Sequence, residues 1–69
     1  MNEIVKSWLE GLITKEIGDV LDDIQSIKIW CLKASDKEAL QIQLDNLSLD
    51  NEYLIVLKKL KNRIEMEDL

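Results

Sequence analysis

The chain has no proline and no histidine, a single cysteine, and only two glycines among its 69 residues. Each absence closes a route. Without proline or any low-complexity run, nothing marks an internal linker, so 1–69 reads as a single domain. One cysteine, Cys31, cannot form an intrachain disulfide, and with no histidine beside it a structural zinc site is excluded. The missing histidine also removes the default general base near neutral pH. Gly11 and Gly18 form neither a dinucleotide fingerprint nor a phosphate loop. No catalytic residues, cofactor or metal are therefore expected, and the chain does not read as an enzyme.

What is present is apolar and acidic. Hydrophobic residues make up 46% of the chain, which argues against disorder despite the charge. At 8.0 kDa a chain buries only roughly 60% of what its unfolded form exposes. A fold this small needs an efficient core or burial against another chain. The net charge is −5 and repels phosphate backbones, so nucleic acid is an unfavoured partner. No apolar stretch has the length of a membrane span, and no basic region precedes the first apolar run. With a free cysteine, this fits a cytoplasmic protein. The bias toward Ile, Lys and Asn over Ala, Gly, Arg and Pro matches AT-rich codons, as in a low-GC bacterium or its phages and plasmids.

Helical spacing recurs along the chain. Ile4, Val5, Trp8, Leu9 and Leu12 outline a first helix with Asn2 as its N-cap, and Gly11 is placed where it could end or bend. Thr14 can cap a second helix, on which Ile13, Ile17, Val20, Ile24, Ile27, Cys31 and Ala34 are spaced alternately four and three apart. That alternation is a heptad seam. Ser35 with Glu38 forms a capping box for a third helix carrying Leu40, Leu44 and Leu47. A break at residues 46–51 precedes a last helix with Tyr53, Leu57, Leu60 and Ile64. The expected fold is all-α, a bundle of three to four helices completed by dimerisation. The alternative is an α-β-β-α arrangement, because Leu40-Gln41-Ile42-Gln43-Leu44 alternates strictly and Ile27-Lys28-Ile29 does so briefly. A hairpin there would have to turn through Ser35-Asp36-Lys37-Glu38, which contains no glycine.

Candidate sites come from surplus and from charge. Trp30, Leu32 and Ile29 spread around the central helix beyond one amphipathic stripe, and Ile42 and Ile55 also point away from their rows. Such surplus is covered either by the first helix, with Trp8 and Leu9, or by another chain. In the second case Trp8, Ile29, Trp30, Leu32 and Tyr53 form the partner-binding set, with both tryptophans as anchors. Glu16, Asp19, Asp22 and Asp23 run down one helix; they read as a solvated face or a contact for a basic partner, since carboxylates on a straight helix do not converge on one ion. Lys58, Lys59, Lys61 and Arg63 match the negative end of a helix dipole, with a weaker reading as an anion site. Cys31 lies on the apolar seam and reads as a small buried hydrophobe.

Three functions follow as expectations. The first is a protein–protein interaction module, a homodimer that regulates or inhibits another protein. The second is a small-ligand or nucleotide-sequestering protein with a site near the basic segment. The third is a helical dimer binding nucleic acid through that same segment.

Overall fold

The computed structural model describes residues 2–67, which form two long helices and no strand among the described residues. Helix α1 runs Glu3–Lys33 and α2 runs Lys37–Glu65, joined by residues 34–36. The helices lie side by side over most of their length, giving a rod of 51 × 16 × 10 Å. The all-α class stands; the count of three to four helices does not.

The extra helices disappear because the expected boundaries lie inside helices. α1 passes straight through Gly11 and Thr14. Gly11 has no positive φ, and a Cβ added there would meet nothing within 4 Å, so no geometric demand requires glycine at that position. Ser48, Asp50 and Asn51 likewise sit inside α2. Residues competent to cap a helix stop one only where an alternative hydrogen bond wins over the next helical turn. Here packing against the facing helix favours continuation.

The true ends are capped. The Asn2 side-chain oxygen accepts from the backbone N–H of Ile4 at 2.8 Å and of Val5 at 3.4 Å, as its position suggested. At α2 the cap is Asp36 rather than Ser35: its Oδ1 accepts from the N–H of Ala39 at 2.8 Å. That one-residue shift places Glu38 second in the helix, so no capping box forms. The alternating segment Leu40–Leu44 is helical, and the α-β-β-α alternative is absent from the described residues.

The α1 seam is the one read from the heptad spacing. Ile13, Val20, Ile24 and Ile27 are buried, while Ile17, Cys31 and Ala34 are half-buried in the same row. The partner row on α2 departs in part from the expected one. Leu54, Leu57 and Ile64 are buried and Leu47 packs on them; Tyr53, Leu60, Leu40 and Leu44 lie at the edges, exposed. Continuing the inner row along α2 brings in Gln43, Asp50 and Lys61, all half-buried. The expected rows are thus right at Leu47, Leu57 and Ile64, with Leu54 from the widened last stripe, and corrected at Leu40 and Leu44 on one edge and Tyr53 and Leu60 on the other.

The core is uneven along the rod. Ile13, Val20, Ile24, Leu54, Leu57 and Ile64 form one cluster with Leu9, Ile17 and Leu47 against it. The first third of α2 contributes no buried residue. On α2 the buried residues fall in its second half, Leu54 to Ile64, whereas on α1 they run from Ile13 to Ile27.

Candidate functional site

The inner row of α2 carries the principal electrostatic features. Asp50 faces Asp23 of α1, and the two carboxyls share a hydrogen bond. That bond, burial and the neighbouring negative charge all push the Asp50 pKa upward. Its second oxygen, Oδ2, is buried without a protein partner. Close by, the Tyr53 O–H donates to Glu16 Oε1 at 3.2 Å. Desolvation, then the Glu16 charge and this bond, raise the Tyr53 pKa. At the chain ends, Lys6 Nζ lies 3.8 Å from Glu67 Oε1.

These cross-helix bonds establish which flanks of the two helices share a face. On α1 that flank bears Val5, Trp8 and Leu12, then Glu16, Asp19 and Asp23, then Ser26 and Trp30, stepping three or four residues at a time. On α2 it bears Ile42, Asn46, Leu49, Tyr53, Val56 and Leu60, with the four-three alternation of a second heptad row. All the apolar and aromatic residues of this face, Val5, Trp8, Leu12 and Trp30 on α1 and Ile42, Leu49, Tyr53, Val56 and Leu60 on α2, are exposed. The face is thus apolar at both ends, acidic along the middle of α1, and apolar along α2. The opposite face presents a smaller patch on which Leu21, Leu40 and Leu44 are exposed.

Every residue of the expected partner-binding set is exposed, but they do not form one patch. Trp8 and Trp30 are 62% and 58% exposed and stand on the same flank of α1, separated by about 33 Å of helix. Tyr53 lies between them on α2. Leu32, 89% exposed, and Ile29 point to other sides of the rod near the connection. The Lys33 ammonium lies 5.7 Å from the Trp30 ring centroid, a weak cation–π contact at an exposed site. The first helix does not cover the surplus face, because it is the same helix as the central one.

The basic segment is divided by the helix. Lys59 and Arg63, four apart, line an open depression of about 240 Å³ floored by Val56 and Leu60. Lys61 turns into the inner row, and Lys58 lies on the other flank. Four cations therefore do not converge on an anion. The acidic group is divided too: Asp22 falls away from the flank that holds Glu16, Asp19 and Asp23. Among the described residues no group of side chains is arranged to hold a metal ion, and no helix is long and apolar enough to cross a membrane.

The two-row character of α2 was available in the sequence, since Ile42, Leu49, Val56 and Leu60 hold heptad spacing by themselves. No known protein family matches the chain, and neither curated proteins nor solved structures are similar to it.

Proposed function

We propose that this protein is a non-catalytic protein–protein interaction module, a helical hairpin that regulates or inhibits another protein by lending it an apolar face. The observation that supports this reading is the second heptad row of α2 together with Trp8, Leu12 and Trp30, exposed along one side of the rod. A folded chain of 8.0 kDa exposes about 4,450 Å² by the usual scaling with mass. This one exposes 5349 Å². The excess is close to the roughly 800 Å² that each partner contributes to a standard protein interface. Self-association is part of the proposal: a two-fold pair through the opposite patch of Leu21, Leu40 and Leu44 would leave the tryptophan face free.

Capture of a binding protein by the immobilised chain tests the reading. Trp8→Ala and Trp30→Ala are expected to abolish capture while the helical circular dichroism survives, because both side chains are largely outside the core. Undiminished capture by both variants would refute the tryptophan face as the docking surface. Pairing through the leucine patch predicts a thermal midpoint that rises with protein concentration.

A further inference from the structure

We infer that the occupant of the tryptophan face is a basic amphipathic helix of another protein, lying along the groove between α1 and α2 and completing a three-helix bundle in trans. This rests on the interaction-module reading above and names the chemistry of its partner. The two exposed rows flank one groove, and the α1 row alone runs from Val5 to Trp30, about 38 Å. A helix of about 25 residues matches that span. Its apolar positions would meet Val56 and Leu60 at one end and Trp30 and Ile42 at the other, all exposed in this chain. Recognition by such anchors at helical spacing is the helix-in-groove mode.

Charge decides between occupants. Glu16, Asp19 and Asp23 line the middle of the α1 flank, with no basic residue of α1 in that row between Val5 and Trp30. A second copy laid antiparallel on this face about a two-fold axis near the middle of the rod would set those three carboxylates against their own counterparts. Such like-charge apposition disfavours pairing. A helix carrying Lys or Arg at its centre meets them with opposite charge and gains encounter rate as well as register. The Asp23–Asp50 pair, already crowded with negative charge, lies beneath that same stretch.

The test uses two synthetic 25-residue amphipathic peptides, identical in their apolar positions, one with lysines at the centre of its polar flanks and one with glutamates. Binding is followed by tryptophan fluorescence and calorimetry on the full chain, with sedimentation to report its oligomeric state. The lysine peptide is expected to bind at least about tenfold more tightly than the glutamate peptide, as a difference of two or three ion pairs allows. Glu16→Lys with Asp23→Lys should reverse the preference, whereas Asp22→Lys, turned outward about 100° around the helix from Asp23, should change it much less. Equal binding of both peptides, an equal effect of D22K, or occupation of this face by a second copy in sedimentation and cross-linking would overturn the inference. Failure of the peptides together with tryptophan-dependent capture of a protein would remove the basic helix and leave the module reading standing. Peptide binding that survives in both tryptophan variants would instead count against the face itself.

Discussion

Ile64 is the most buried side chain of the rod, at 2% exposure, and it sits on a helix whose apolar residues are mostly outside the core. It bears out the row expected for the last helix, whereas Leu44 of the preceding row lies at the edge. Truncation of a buried isoleucine removes its transfer energy and leaves a cavity, so Ile64→Ala is expected to cost about 2–5 kcal/mol. Leu44→Ala should cost less, about 1 kcal/mol, because its side chain lies at the edge of the helix pair and is 43% exposed. Chemical denaturation of the two variants checks the order, and equal losses would contradict the placement of Leu44 at the edge and Ile64 in the core. Tyr53 illustrates the same lesson at the edge: its ring is exposed, and its hydroxyl is engaged by Glu16 rather than packed in the seam.

Each helix as a unit shows what could be read from the sequence. The α1 seam was fully legible, because Ile13 through Ala34 keep one four-three alternation with no competing row of equal strength. α2 has two such rows, and the better apolar one faces out. Gln43, Asp50 and Lys61 interrupt the inner row, so hydrophobic spacing finds Leu47, Leu57 and Ile64 but fills the gaps with Leu40, Leu44, Tyr53 and Leu60 from the edges. Only the facing helix selects between them. Helix number was misread for a related reason: Gly11, Thr14, Ser48 and Asn51 have local tendencies to end helices, which continuous packing along α1 and α2 overrides. The acidic flank was visible in the sequence, but its division, with Asp22 apart from Asp23, needed the helical register fixed by the Tyr53–Glu16 bond.

Asp50 makes the inner row of α2 sensitive to pH. Its pKa is raised in the folded protein by the Asp23 hydrogen bond, burial and the Asp23 charge. The folded state thus holds that proton more tightly than the unfolded chain. This contribution to stability is complete below the unfolded value, about 3.9, and is lost as pH rises through the folded value. Asp50→Asn keeps the shape and a hydrogen-bond donor without the second charge. It should raise the thermal midpoint at pH 7 and flatten the dependence between pH 4 and 7, with little change at pH 4. A lower midpoint at pH 7 would show that the pair contributes favourably when ionised, contrary to this account.

At the scale of the whole molecule, two helices make a single thin layer. The radius of gyration is 15.7 Å, against about 11 Å for a compact chain of this length. No interior layer exists, and each helix has one buried flank and a large solvated remainder. That shape leaves wide side faces exposed, which is the ground of the interaction proposal. It also places the buried residues of α2, Leu54 to Ile64, far from the connection at residues 34–36.

That last placement has a kinetic side. A helical hairpin ordinarily zips from its turn, where closing the loop costs little entropy. Here zipping brings no buried α2 residue into place until Leu54, with Leu47 packing against the cluster just before it. The first rewarded contacts join stretches some tens of residues apart, so folding is slowed relative to a hairpin whose core adjoins its turn. A circular permutant that joins the two termini through a linker at the end of the rod where Lys6 meets Glu67, and opens at Ser35, should fold faster in stopped-flow measurements. In that permutant the tightest packing would stand beside the new loop, and the slow search would become a local one.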